Sequence, residues 1–256
     1  MYRLAPSTTT TTVAEESGED STSDRGGSTA DLTRLPPGGT LTTYTLTRKS
    51  IAIPTTERET LQAGDQEVAY ISFTTFTVGS ALELRAEVMK ATQTDGVDAI
   101  VLDLRSNVGG ILTEAVAVAS IFVAPGQEIV RVEGRRSPRE VYYSSGDAYY
   151  DVPLYVLTDE YTASASEIVS GALQHYDRAT LVGETTFGKG LVQIIQPLSD
   201  GGALKFTSAV YFTPDGRDIN QTGITPDVEA PDDPETADVD EGLETALDLI
   251  SGDISR

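Results

Sequence analysis

The chain has no cysteine, no tryptophan and a single histidine, His175. Without cysteine there is no disulfide, no thiolate metal site and no cysteine nucleophile. Lysine is almost as scarce: Lys49, Lys90, Lys189 and Lys205 stand among eighteen basic residues, the rest arginine. Positive charge as a whole is in short supply, with 18 Lys and Arg against 40 Asp and Glu and a formal net charge of -22. That balance argues against nucleic acid and anionic membrane surfaces as partners, because both require basic patches. No apolar run approaches the roughly 18 residues of a membrane span, and no signal-peptide core follows Met1. An exported protein would carry its targeting segment outside this sequence. What is present is enough for a core: 39% of 256 residues are hydrophobic, room for one large domain or two small ones.

Composition divides the chain in three. Residues 1–39, with a threonine run from Thr8 to Thr12 and then Ser, Gly, Glu and Asp up to Pro36-Pro37-Gly38-Gly39, read as a disordered polar linker that buries too little to offset chain entropy. Residues 40–230 carry the patterns of a folded core. Residues 231–256 are acidic, and Leu243, Ala246, Leu247 and Ile250 at helical spacing predict a short docking helix.

Within the core, strands are expected over Leu41–Ile53 and 67–73. Ser80 is the expected N-cap of a helix ending near Gly96. Ala99-Ile100-Val101-Leu102-Asp103-Leu104 is an apolar run of strand length, the pattern of a strand buried on both faces of a parallel sheet. It stops at Arg105-Ser106-Asn107-Val108-Gly109-Gly110, and a helix bearing Leu112, Ala115, Val116 and Ala119 follows. Segments 128–132 and 139–143 suggest a strand pair, and the aromatic stretch Tyr142–Tyr150 a cover. Leu154-Tyr155-Val156-Leu157 repeats the buried-strand pattern before a helix from about Ala163 to Gln174. Strands at Thr180–Val182, 191–197 and 203–212 complete an α/β chain.

Chemistry is expected where those buried strands end and helices begin. Ser164, in the first turn of its helix, has backbone N–H groups and a helix dipole that favour developing negative charge. The Ala165 N–H and one from the Gly109-Gly110 turn make a candidate oxyanion hole. Lys189, between Gly188 and Gly190, can act as a base if water is excluded from its amine, and the neighbouring Phe187 is expected to help exclude it. Gln193, four residues on, is placed to hydrogen-bond that amine. Plainer roles fit the same residues: serine at a helix start is commonly an N-cap, lysine commonly a solvated charge, and a glycine pair commonly a turn. His175 lies about 16 Å from Ser164 by helical rise, at the far end of the same helix, and reads as structural.

At these residues the chain resembles the C-terminal processing peptidases, or tail-specific proteases, from about Leu41 to Val228. The resemblance is carried by residues 101–110, by Ser164-Ala165-Ser166-Glu167-Ile168, by Gly183 to Gln193, and by 211–217 through 223–228. It implies a Clp-peptidase/crotonase-like spiral of ββα units and a serine endopeptidase acting through an acyl-enzyme on unstructured protein tails. Ser164 would be nucleophile, Lys189 general base and Gln193 its orienting residue. Ala165 with Gly110 or Gly109 would form the oxyanion hole, and Glu167 and Thr186 would support the pair. No cofactor or metal is implied, a homo-oligomer is compatible, and the setting implied is extracytoplasmic, periplasm or cell envelope. The family's usual PDZ domain is expected just before residue 41, where this sequence has a polar segment, so that domain is expected to be either deleted or naturally missing from this member. Two other readings stay open: a catalytically silent module binding a peptide or apolar ligand, and a crotonase-like acyl-CoA enzyme, which would not need Lys189.

Overall fold

The structure, a computed structural model, describes residues 8–15, 40–47, 53–135, 138–146, 152–232, 236 and 239–254, the first two stretches as backbone only. By its contacts the chain divides into two units, Met1–Ile53 and Pro54–Arg256. In the first, β1 (Thr8–Glu15) pairs antiparallel with β2 (Thr40–Thr47), Thr8 opposite Thr47 and Glu15 opposite Thr40. β-branched threonine favours extended backbone, and the run Thr8–Thr12 lies in β1; residues 1–7 and 16–39 of the expected linker lie outside the described residues.

The second unit is built on a six-stranded sheet in the order β12-β9-β8-β5-β4-β3. Its strands are β3 (Thr56–Ala63), β4 (Gln66–Phe73), β5 (Ala99–Asp103), β8 (Leu154–Thr158), β9 (Thr180–Gly183) and β12 (Val228–Glu229). All neighbours run parallel except β3, which is antiparallel to β4. The helices α1 (Ser80–Met89), α2 (Leu112–Phe122) and α3 (Ala165–His175) follow β4, β5 and β8 in turn. An α/β architecture is therefore what the chain adopts.

The uninterrupted apolar run of β5 has a physical explanation. Ile100 and Leu102 pack into a core with Leu84 and Val88 of α1, Ala115 and Val118 of α2, and Ile168 and Ala172 of α3. Ala99 and Val101 face the other way, into a second core with Ala246 and Ile250 of α4 (Glu241–Ser251). Period-two alternation thus feeds two apolar layers, and neither face can be polar. The expected docking helix is α4, capped by the Asp240 side chain, which accepts from the Leu243 N–H at 2.8 Å.

A second, four-stranded antiparallel sheet has the order β10-β11-β6-β7, from β6 (Glu128–Gly134), β7 (Glu140–Tyr143), β10 (Leu191–Pro197) and β11 (Ala203–Phe212). Of the expected aromatic cover, residues 147–150 lie outside the described residues. Ser80 is not the N-cap of α1. Gly79 holds that place with φ 92°, and the Glu114 carboxylate of α2 accepts from the Gly79 and Ala81 amides, each at 3.0 Å. α1 continues into a π-helical turn, Lys90–Asp95, that ends at Gly96 as expected.

Candidate active site

Three loops leave the carboxyl ends of the adjacent strands β5, β8 and β9, and the register of those strands (Asp103 opposite Leu157, Thr158 opposite Gly183) brings the loops together. The β5 loop is organised by Asn107, which is fully buried. Its Nδ2 donates to the Phe73 carbonyl at 2.6 Å, and its Oδ1 accepts from the Gly109 N–H at 2.9 Å. Its own carbonyl accepts from the Ala163 N–H at 3.0 Å and the Ser166 hydroxyl at 2.9 Å. One residue therefore locks the glycine turn to the β8 loop. Asp159 adds a second tie: Oδ2 accepts from the Ser106 N–H at 2.8 Å and Oδ1 from the Thr162 N–H at 2.7 Å.

The contact between the two loops leaves no room for a side chain at residue 109. With φ at 94°, a Cβ there would lie 2.6 Å from the Ala163 oxygen, 2.8 Å from the Ala165 nitrogen and 2.9 Å from Ser164 Cβ. Hence only glycine fits. The Gly109 N–H is committed to Asn107, so among the expected oxyanion donors Gly110 and Ala165 are left. Neither of those two amides has a protein acceptor among the described residues. Ser164 itself sits at φ 59° and ψ −112°, a conformation that non-glycine residues avoid. Such strain costs about 1–3 kcal/mol and persists only where the surroundings enforce it.

Glu167 does the enforcing. Its side chain is wholly buried and faces four donors. Oε2 accepts from the Ser164 N–H at 2.7 Å and the Lys189 N–H at 2.8 Å. Oε1 accepts from the Gly188 N–H and the Thr186 hydroxyl, each at 2.7 Å. Sharing one oxygen, the Ser164 and Lys189 amide nitrogens are at most 5.5 Å apart, the sum of those two distances. Thr186 passes the tie onward, since its Oγ1 accepts from the Ile224 N–H at 2.8 Å. The Gly188 carbonyl accepts from the Gln221 N–H at 2.8 Å, and the Phe187 N–H donates to the Thr162 carbonyl at 3.0 Å.

The Lys189 side chain is exposed and, among the described residues, makes no hydrogen bond or ion pair, while Phe187 is 63% exposed and does not cover it. Neighbouring glycines give the loop freedom of direction but no enclosure. Gln193 is also exposed, on β10, without a hydrogen bond to Lys189. The structure thus gathers Ser164, Ala165, Gly110, Glu167, Thr186 and the Lys189 backbone, and leaves the side chains of Lys189 and Gln193 in solvent. Asn107 and Asp159 escaped the sequence reading; an Asn two residues before a glycine is a local turn signal, but its tie to Ala163 is visible only in three dimensions.

His175, the last residue of α3, is exposed at the end opposite Ser164. Replacing it by alanine is expected to leave kcat/KM for a denatured protein within about tenfold of wild type. A rate controlled by a group near pH 6.5, absent in His175→Ala, would contradict that placement.

A sequence model of Peptidase family S41 matches residues 67–230. A carboxyl-terminal-processing protease of Synechocystis sp. is 39% identical over 219 residues, 83% of this chain and 51% of that protein. A carboxy-terminal-processing protease of Bartonella bacilliformis is 41% identical over 167 residues, covering 63% of this chain and 38% of its own length. Among solved structures, a photosystem II D1 C-terminal processing protease aligns with a TM-score of 0.66 at 33% identity, over 82% of this chain and 56% of that one. Mature CPAF shares the fold, at 13% identity and a TM-score of 0.62 over 87% of this chain and 67% of its own. The chain spans about half the length of the first of these curated relatives.

Proposed function

This chain belongs to peptidase family S41, and from that premise we propose that it is a serine endopeptidase cleaving unstructured protein tails through Ser164 and Lys189. The observation that carries the reading is the Glu167 carboxylate, one oxygen of which accepts the amides of both residues. A buried acceptor serving those two positions is an arrangement for holding a nucleophile and a base in register.

In this mechanism the Ser164 hydroxyl attacks a peptide carbonyl and passes its proton to the Lys189 amine. The Ala165 and Gly110 N–H groups hold the developing oxyanion. Collapse breaks the C–N bond, and Lys189 returns the proton to the departing amine. A water, deprotonated by Lys189, then hydrolyses the acyl-Ser164 ester. Lys189 is solvated in the free protein, so the substrate itself supplies the enclosure: a chain laid over the loop displaces water, and loss of water favours the neutral amine. Gln193 is assigned to orient that amine once it is covered, with Glu167 and Thr186 as positioning residues. The same reading places the activity outside the cytoplasm.

A fluorophosphonate probe tests the nucleophile without knowledge of the substrate. Wild type is expected to label at Ser164, with phosphonylated peptide identified by mass spectrometry, and Ser164→Ala to show neither labelling nor cleavage of denatured protein. Labelling without cleavage of any denatured protein would favour the silent binding module.

A further inference from the structure

The strand that leaves the catalytic loop has an open edge. β10 starts two residues after Lys189 and is the outermost strand of its sheet. Among the described residues, the part of the hairpin formed by 203–208 of β11 and its partners on β10 pairs with no other strand, because β6 meets β11 only over Ala209–Phe212. Hydrogen bonds at both ends of the hairpin fix which backbone groups point outward. The Leu198 N–H donates to the Gly202 carbonyl at 2.9 Å, and antiparallel pairs alternate between bonded and non-bonded. Ile194–Phe206 and Gln196–Leu204 are therefore bonded across the hairpin, while Ile195 and Gln193, opposite Lys205 and Thr207, turn their N–H and C=O groups away. At the other end the Tyr211 N–H donates to the Gly190 carbonyl at 2.8 Å, which turns the backbone of Leu191 outward too. The register irregularity beside Val192 and Gln193 falls on β11, where Ser208 is the extra residue, so the alternation along β10 is continuous.

The composition of the hairpin departs from that of the chain. Residues 191–206 contain one acid, Asp200, and one base, Lys205, in a protein of net charge -22. Ile194, Ile195, Leu198, Leu204 and Phe206 are exposed. Long apolar edge strands without charge or cover template pairing with another chain, and proteins ordinarily blunt them. Here Pro197 ends the edge but Leu191, Gln193 and Ile195 leave it open.

We propose that the β10 edge is the rail on which the substrate polypeptide is held: an extended segment of the cleaved chain adds as a strand, bonded to the outward groups of Leu191, Gln193 and Ile195. Its next residues then pass over Lys189 to Ser164. This rests on the endopeptidase reading and deepens it. Recognition is by main chain with apolar side contacts, so it selects unfolded, weakly charged segments rather than a particular terminal sequence. It also supplies the cover over Lys189 that the free protein lacks.

The test uses Ser164→Ala protein and a fluorescent, unstructured apolar peptide, with a series of the same peptide carrying one N-methyl group at each successive position. Fluorescence anisotropy is expected to show affinity falling about tenfold at alternate positions and little change at those between, the period-two signature of strand pairing. Ile195→Pro, which removes one outward N–H at a position where an edge tolerates proline, is expected to weaken the parent peptide about tenfold, with melting temperature reporting that the fold is kept. Affinity that falls at no position or at every position alike overturns the rail. So does a Ser164→Ala dimer, seen by sedimentation, that Ile195→Pro converts to monomer, because the edge would then hold a second copy of this chain. Cleavage of the parent peptide by wild type is scored separately. Period-two binding without cleavage removes the endopeptidase reading and keeps the edge; cleavage without the period does the reverse.

Discussion

Lys189→Ala is expected to abolish peptide cleavage, lowering kcat/KM on a denatured protein by at least about 10³-fold, while the melting temperature stays where it was. The first half follows from the role proposed for it: a serine hydroxyl is a weak nucleophile, and removing a group that takes its proton removes most of the acceleration. The second half follows from the structure. The Lys189 side chain is exposed and unbonded among the described residues, and the bond that matters for the fold is its backbone N–H to Glu167, which alanine keeps. Surface changes of that kind usually fall within about 0.5 kcal/mol. Lys189→Arg is expected to be as inactive, because a guanidinium stays protonated and cannot accept the serine proton. Cleavage by the arginine variant within tenfold of wild type would remove lysine from the mechanism.

Glu167→Ala is expected to fail in both respects. It strands three amides and a hydroxyl that all donate to one carboxylate, the Gly188 amide and the Thr186 hydroxyl among them buried. Each unsatisfied buried donor costs about 1–3 kcal/mol, and charged acceptors are the stronger partners. Allowing for relaxation, we expect a loss of about 3–5 kcal/mol, read as a fall of roughly 10 °C or more in melting temperature for a unit of this size. The strained backbone of Ser164 should relax with it, so the surviving folded protein is expected to lose about 10³-fold in kcat and not merely in KM. Glu167→Gln separates the tie from simple volume. Its remaining oxygen can still accept from Ser164 and Lys189, while its NH₂ meets the Gly188 N–H and a Thr186 hydroxyl able to rotate. It should therefore fall between alanine and wild type in stability and rate. Wild-type cleavage by Glu167→Ala would show that the register of the two loops is held by something else.

Much of this arrangement was legible in the sequence where the signal is local. The buried runs that became β5 and β8, the spans of β10 and β11, and the apolar stripes of α2, α3 and α4 follow from periodicity alone. β3 was missed, because Thr56–Ala63 is a largely exposed edge strand rich in charge and carries no apolar alternation. The cap of α1 was misassigned to Ser80 for a related reason: the acceptor is Glu114, more than thirty residues away, and no local pattern contains it. The site divides the same way. Ser164, Ala165 and the glycine turn announce themselves by residue type. The work of Asn107 and Asp159 is done by long-range bonds, and the exposure of Lys189 depends on what does not pack over it.

Arg105, just ahead of the glycine turn, donates to Asp103 at 2.7 Å and, with both terminal nitrogens, to Asp240 at 2.7 and 2.8 Å. Burial pushes the Asp240 carboxyl up, but the Arg105 hydrogen bonds and the Leu243 N–H outweigh it and hold it below the ordinary carboxylate range. The partners lie 135 residues apart in the chain. At about 5–20 residues per second, a ribosome finishes Arg105 roughly 7–27 s before it delivers Asp240. A nascent chain can therefore own its serine, its glycine turn and its lysine loop while the clasp between Arg105 and the last helix does not yet exist. Biosynthesis itself then sets a delay during which the loops of the site exist without the clasp and the segment that completes it is still emerging.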